Sequence, residues 1–171
     1  SRSKNPLTDR AAVSPASSMP ELYRAWGVEM DPNRIVADRG FGQRVMVNNL
    51  GEEQDTTYVA WLGLREASLE RGDPVTGELR YIAMAMAGHL QKLPDATTQF
   101  TPLISSSDDA ALLEATMMLR RSPNPIDMLR KFAPSGDRYV LAARLSGDSV
   151  SAFPNGAPPL PKDANPELSE S

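Results

Sequence analysis

Three consecutive serines, Ser105 to Ser107, are the residues of this chain whose type and position could most readily support chemistry. A serine nucleophile at a strand-to-helix turn needs flanking glycines, as in Gly-x-Ser-x-Gly, and a base to accept its proton. No glycine lies within ten residues of these serines, and the only histidine in the chain is His89. A hydrolase would therefore require His89 within hydrogen-bond reach of one of the three hydroxyls.

A helix N-terminus explains the same serines without any chemistry. Residues 108–121, DDAALLEATMMLRR, have the composition of a good helix. A serine or aspartate at the N-cap accepts a hydrogen bond from a backbone N–H of the first turn, and the helix dipole favours Asp108 and Asp109 there. Those carboxylates would repel a bound phosphate. The sequence thus predicts a strand that ends at the serines, followed by a capped helix.

Four ring-bearing side chains are the candidates for binding a small ligand or a glycan. Each tryptophan lies in an apolar, periodic context, so packing in the core is the alternative interpretation for both. The methionines at 84, 86, 117 and 118 allow the same two interpretations, core or adaptable groove. The candidate ligand-binding residues are Trp26, Tyr58, Trp61 and His89.

Composition narrows the class of protein. The 171 residues carry a net charge of −4 without a basic stripe, so nucleic acid is not an expected partner. The absence of cysteine excludes disulfides and thiolate chemistry, and a single histidine lacks the partners that zinc requires. No metal and no cofactor is predicted, and neither is a catalytic residue. The longest apolar stretch, IAMAMAG, is far shorter than the roughly 18–20 residues that span a bilayer.

The distribution of proline and polar residues divides the chain into three parts. Residues 1–18 predict a flexible arm or linker, and residues 19–154 a single domain. Residues 155–171 hold four prolines and few large apolar groups, which is typical of a disordered tail. The sequence starts at Ser1, and its first methionine is Met19. We therefore expect it to be a segment of a longer protein.

Within residues 19–154, the pattern predicts more strand than helix, in a mixed α+β arrangement with a mixed sheet and a few flanking helices. Several strand pairs look locally antiparallel, and Gly40 and Gly42 mark a turn or bulge. A stretch rich in alanine and methionine, 78–93, favours strand over helix because Gly88 and Pro94 close it. Helices are predicted at 19–28, 108–121 and 124–133, and strands at 34–38, 43–47, 56–64, 98–105 and, as a pair around Gly147, within 138–153.

Four segments, taken in order, form a recognisable succession: LYRAWGVEMDPNRIVADRGFGQRV, YVAWLGL, TPLISSS and RYVLAARLSGDSVSAFP. They resemble the extracytoplasmic region of the gliding-motility-type ABC transporter auxiliary proteins, the GldG-like family. That family shows a short helix ending in an aromatic-glycine turn, a strand ending in aspartate, a "tPL…tSs" strand and a closing "l.G…SafP" strand. Of the four segments, the first begins at residue 22 and the last ends at residue 154.

The resemblance implies a domain outside the cytoplasmic membrane, tethered by transmembrane helices that lie beyond this segment. It also implies that the segment is part of a larger glutamine-amidotransferase-like α/β region that lacks a catalytic constellation. The implied partners are the permease and ATPase subunits of an ABC transporter, or other envelope proteins. The expected function is a non-enzymatic interaction module, and the alternative is a small-ligand or glycan-binding domain, such as a degenerate enzyme.

Overall fold

The computed structural model of this chain describes residues 19–49, 51–119 and 124–156. The predicted arm, 1–18, and residues 157–171 of the predicted tail lie outside this range. Residues 155 and 156 belong to a turn, in which the backbone N–H of Gly156 donates to the carbonyl of Phe153 at 3.1 Å. No helix in the described ranges has the length and apolar character needed to cross a membrane.

Short strands dominate the described residues, which confirms the mixed α+β prediction. Two α-helices and two 3₁₀ turns, Glu66–Ser68 and Ala115–Leu119, accompany the strands. The helices are α1 (Pro20–Ala25) and α2 (Pro125–Lys131), and the strands are β1 (Val28–Glu29), β2 (Arg34–Asp38), β3 (Gly42–Asn49), β4 (Glu52–Arg65), β5 (Tyr81–Ala85), β6 (Gln91–Lys92), β7 (Gln99–Ser105), β8 (Ala110–Glu114) and β9 (Val140–Ser146).

The strands form four small antiparallel sheets: β1–β6, β2–β8, β3–β4–β5 and β7–β9. The predicted bulge glycine, Gly42, lies where the β3–β4 register shifts. Single backbone hydrogen bonds connect neighbouring sheets. Just after β5, Met86 N donates to Ala60 O at 2.9 Å, and Val36 N donates to Ala87 O at 2.8 Å. The chain therefore passes from the β3–β4–β5 sheet to the β2–β8 sheet at this point.

The β2–β8 ribbon lies between two apolar clusters and is buried on both faces. Val36 and Ala110 belong to one cluster, together with Leu62 and Leu64 of β4. Ile35, Ala37 and Ala111 belong to the other, which α2 covers through Met128 and Phe132. Burial of apolar surface on both sides of a two-stranded ribbon provides most of the free energy that holds such a small sheet.

The helix predicted over residues 108–121 is wrong. Ala110–Glu114 form β8, paired in register with β2, and a 3₁₀ turn, Ala115–Leu119, follows. A strand buried on both faces reads as a continuous apolar run, so its sequence shows no alternation. Alanine and leucine then suggest a helix, but tertiary packing overrides that propensity. Residues 120 and 121 lie outside the described range.

The hairpin predicted around Gly147 is also wrong. β9 ends at Ser146 and pairs with β7, while residues 147–156 contain no strand. Gly147 has a φ of 98°, so it turns the chain away from the sheet and does not return it alongside β9. The predicted helices at 19–28 and 124–133 are confirmed in shorter form, and so are the strands at 34–38, 43–47, 56–64 and 98–105 and within 78–93.

Candidate functional site

Asp38, at the end of β2, is the polar residue around which the serines are organised. Its side chain is fully buried. Oδ1 accepts hydrogen bonds from Phe41 N at 3.0 Å and from Ser107 Oγ at 2.7 Å, and Oδ2 accepts one from Ser107 N at 2.6 Å. Three donors around one buried carboxylate compensate its loss of hydration. We call Asp38, Ser106 and Ser107 the Asp38 junction.

Ser106 completes this junction and joins it to β9. Its side chain is fully buried. The hydroxyl donates to Ser107 O at 2.9 Å and accepts from Tyr139 N at 2.8 Å. The buried hydroxyl of Ser106 and the half-buried hydroxyl of Ser107 are thus committed to internal hydrogen bonds, and neither is positioned as a nucleophile beside a base.

The expected role of the serines as a helix cap is wrong because no helix follows them. Ser107 Oγ accepts from Asp109 N at 3.1 Å, which closes a tight turn between β7 and β8. Asp109 pairs in a bidentate way with Arg39, at 2.8 and 3.0 Å, and does not lie at a helix dipole. This hydrogen-bonded pairing raises the pKa of Arg39. The pair is largely exposed and contributes little to stability.

A second buried carboxylate, Asp73, is likewise used in the framework. Its Oδ1 accepts from Val75 N at 2.9 Å, which shapes the turn before β5. Its Oδ2 lies 2.9 Å from Arg144 Nη2 on β9, an ion pair whose alignment is too poor for a hydrogen bond. The turn is thereby anchored to β9. Across the described ranges, no three side chains of the metal-binding types come together.

His89 lies apart from the serines in its side-chain contacts. Its ring packs edge-on against Tyr139, with centroids 5.2 Å apart, and its Nε2 lies 3.0 Å from the side-chain nitrogen of Gln91. Partial burial lowers the pKa of His89, although Glu29 and Asp31 oppose that shift. These contacts describe a packed histidine at the edge of the molecule.

Tyr58 and Trp61 are brought together on β4. Their rings meet edge to face, with centroids 6.3 Å apart, and desolvation raises the pKa of Tyr58. Tyr58 turns toward Met118, whose sulfur lies 4.0 Å from the phenol oxygen. Trp61 points outward and is 43% exposed, so the predicted alternative of core packing is wrong for it.

Trp61 belongs to an apolar outer surface of the β4–β5 pair, which we call the outer face. The inner face of this pair carries Leu62 and Leu64, which pack into the core. On the outer side, Tyr81 is 50% exposed and its ring lies across Gly63. A Cβ at Gly63 would come within 3.3 Å of the Tyr81 side chain. A glycine covered by a neighbouring aromatic ring is a known way to stabilise a sheet position. The outer face consists of Trp61, Gly63, Tyr81, Ala83 and Ala85, and the exposed Arg65, opposite Tyr81, lies at its end.

Trp26 lies at a different place, at the end of α1. Its carbonyl accepts a hydrogen bond from Thr98 Oγ1 at 2.8 Å, and Gly27 follows it with a φ of 75°. A Cβ at Gly27 would come within 2.4 Å of Ala96 Cβ, so only glycine fits there. The indole is 41% exposed, and core packing is therefore wrong for this residue as well.

The Trp26 indole forms one wall of an open cavity of about 400 Å³. The cavity exists because the residues that line it at the end of β9, among them Ala143 and Ser146, are small. Gly147 and Ser149 extend the lining beyond the strand. Thr98 and Leu145 complete the lining. Indole, hydroxyl and small apolar groups surround a concavity that could hold one ring-sized ligand.

The structure thus distributes the four predicted ligand-binding residues over three places. Tyr58 and Trp61 are neighbours, Trp26 lines the cavity, and His89 packs on Tyr139. Sequence reasoning missed Tyr81, although the alternation of Tyr81, Ala83 and Ala85 on one face was visible. It also missed Asp38, for which the sequence carried no signal beyond an aspartate at the end of a strand.

The sequence model of one family matches residues 2–171, nearly the whole chain. The family is described as an ABC-type uncharacterized transport system, and its short name marks its members as auxiliary components. The chain belongs to this family of ABC transport auxiliary proteins. No curated protein and no solved structure matches the chain significantly.

Proposed function

We propose that this chain is a non-enzymatic, extracytoplasmic domain of a gliding-motility-like, GldG-like auxiliary component, and that it acts through protein–protein contacts. Its partners are the permease and ATPase subunits of the transporter or other envelope proteins, and the full-length protein is anchored in the membrane. Family membership supports the transport role. The outer face supports the mode of action.

The observation that carries the proposal is the contrast between buried polar groups and exposed apolar ones. The hydroxyls and the carboxylate that could do chemistry hold together the ends of β2 and β7 and the start of β9. Trp61 and Tyr81 instead lie open on a regular sheet face. Exposed aromatic side chains on a rigid sheet are enriched at protein interfaces, where they contribute most of the binding energy.

Co-purification tests this proposal. The full-length protein carries an affinity tag and is extracted from its own membranes in mild detergent. We expect the permease and ATPase encoded beside it to be recovered with it, and a Trp61→Ala variant to retain less of them. Val75→Lys, at an exposed turn residue outside β4 and β5, serves as the matched control. Recovery of the wild-type protein alone would count heavily against the proposal.

A second candidate function rests on the Trp26 cavity. An exposed indole beside hydroxyl groups suits the stacking of a sugar ring, so this site could bind a glycan or a related small ligand. The residues that would bind it are Trp26, Thr98, Ser146 and Ser149.

Fluorescence titration tests this second candidate directly. In a Trp61→Phe variant, Trp26 is the only remaining tryptophan. We expect neutral oligosaccharides such as chitotriose to change its emission with saturation. An unchanged emission spectrum at millimolar sugar would remove glycan binding from consideration.

A further inference from the structure

β5 is the edge strand of its sheet. It pairs with β4 on one side, in five residue pairs from Trp61–Ala85 to Arg65–Tyr81. In the described part of the chain, no other strand pairs with it, and the backbone hydrogen bond to the β2–β8 sheet is made only beyond it, at Ala87. The outer edge of residues 81–85 therefore presents backbone donors and acceptors without a strand partner.

This edge lacks the features by which proteins usually prevent strand addition. Charged side chains, proline and bulges protect most exposed edges. Residues 81–85, YIAMA, contain neither charge nor proline, and their pairing with β4 has no register shift. Their outward side chains, Tyr81, Ala83 and Ala85, are all exposed. A regular, uncharged strand edge with an apolar face is a template for another strand.

The side chains of β5 make the strand complementary to a second copy of itself. In an antiparallel pair centred on Ala83, each Ala83 faces the other, and each Tyr81 faces an Ala85 across the pair. A large ring is then opposite a small side chain at both ends. The charged residues nearest this edge, Arg65 and Arg80, fall at opposite ends of the paired strands and do not face their own copies.

We infer that two copies of this chain associate through β5, antiparallel and centred on Ala83, to form a continuous six-stranded sheet. The pairing lengthens the outer face and does not cover it, so Trp61 of each copy stays accessible. Five residue pairs make a small interface, and we expect dissociation in about the micromolar range. The inference does not depend on the transporter role, and the purified chain alone tests it.

The absence of cysteine makes single-cysteine cross-linking a clean test of the register. Directly opposed residues in an antiparallel pair have Cα atoms about 4.5–5.5 Å apart, within the range that a disulfide bridges. Ala83→Cys is expected to oxidise to a covalent dimer. In Ala85→Cys the two cysteines would lie about 14 Å apart, so that chain cross-links poorly alone but readily when mixed with Tyr81→Cys.

Introducing charged side chains at Ala83 tests the same contact without a covalent bond. Ala83 is exposed, so Ala83→Lys and Ala83→Glu preserve the fold. Each substitution places like charges opposite one another and is expected to weaken self-association about tenfold in sedimentation equilibrium. An equimolar mixture of the two variants is expected to dimerise again. Val75→Lys is the matched control, because its exposed site lies outside β5.

Several results would overturn the inference. A wild-type chain that stays monomeric up to about 1 mM excludes it. Dimerisation of Ala83→Lys as strong as that of the wild type places the interface elsewhere. Equal cross-linking of Ala83→Cys and a Val75→Cys control shows that collisions, not a specific pair, form the disulfide.

Discussion

The Asp38 junction and the outer face use their residues in opposite ways. In the junction, a carboxylate and one hydroxyl are buried and a second hydroxyl is half-buried, and each makes defined internal hydrogen bonds. On the outer face, an indole, a phenol and two alanines lie open to solvent above a well-packed core. The side chains that look reactive hold the fold together, and those that look inert form its accessible surface.

This difference shows that residues of a reactive type need not form a reactive site. A buried polar group costs free energy unless it is paired, so a cluster of serines and aspartates beside a strand end has a structural use. A large apolar group exposed to solvent does not stabilise the fold in this way, and the group of them on one regular face is the feature on which the proposed contact surface rests.

The largest effect is expected from removing the carboxylate of the junction. Asp38→Ala leaves Ser107 N, Ser107 Oγ and Phe41 N without an acceptor in a buried site, and we expect a loss of about 4 kcal/mol in the free energy of unfolding. Chemical denaturation followed by circular dichroism measures it. Asp95→Ala, at an exposed carboxylate, is the control and is expected to be neutral within about 0.5 kcal/mol.

A smaller loss is expected from one hydroxyl of the junction. Ser107→Ala removes the bond to Asp38 Oδ1 and the acceptor for Asp109 N, which should cost about 1.5 kcal/mol. The neighbouring Ser105 makes no such side-chain bond in the described structure, so Ser105→Ala should cost less than about 0.5 kcal/mol. Equal losses in the free energy of unfolding for Ser107→Ala and Ser105→Ala would contradict the structural role given to Ser107.

A substitution on the outer face should change the free energy of unfolding little and the binding of partner proteins strongly. Trp61→Ala is expected to cost about 1 kcal/mol because the indole is only partly buried. Leu62→Ala, one residue away on the inner face, should cost about 3 kcal/mol. Only Trp61→Ala should reduce the recovery of transporter subunits per folded molecule. A loss of stability as large for Trp61 as for Leu62 would contradict the division into two faces.

The smallest effect concerns His89. Its pKa in the folded state lies below the ordinary histidine value of 6.5, so the unfolded chain binds more protons as the pH falls through that value. We expect the wild type to lose more stability between pH 7.5 and pH 5 than His89→Gln does. NMR titration of this single histidine supplies the second measurement, and a midpoint above 6.5 would contradict the prediction.

Local sequence patterns predicted most of the described strands. Alternation and β-branched residues located β4 and β5, and proline and glycine located α1. The pattern failed at β8 because burial on both faces removes alternation and because alanine and leucine then favour a helix, whereas the glycines that follow β2 located that strand of the same ribbon. It failed at Gly147 because a glycine turn alone does not specify whether the chain returns alongside its own strand.

The sites were predictable only in part, for a related reason. Residue type singled out Trp26 and Trp61 as candidates, but their exposure depends on strands that pair far along the chain. Tyr81 covers Gly63 across such a pairing, and Ser107 binds Asp38 across a separation of 69 residues. No periodicity within a short window encodes either contact.

Met86 and Ala87, where the chain passes from the β3–β4–β5 sheet to the β2–β8 sheet, also determine how the folded chain can open. Met86 holds a left-handed backbone conformation, with a φ of 53°, and donates to β4, while the next carbonyl accepts from β2. Separating either sheet at this point therefore disturbs the other. The amide protons of Val36 and Met86 should exchange with solvent through a shared opening, so the two sheets form one cooperative unit there despite their separate pairing.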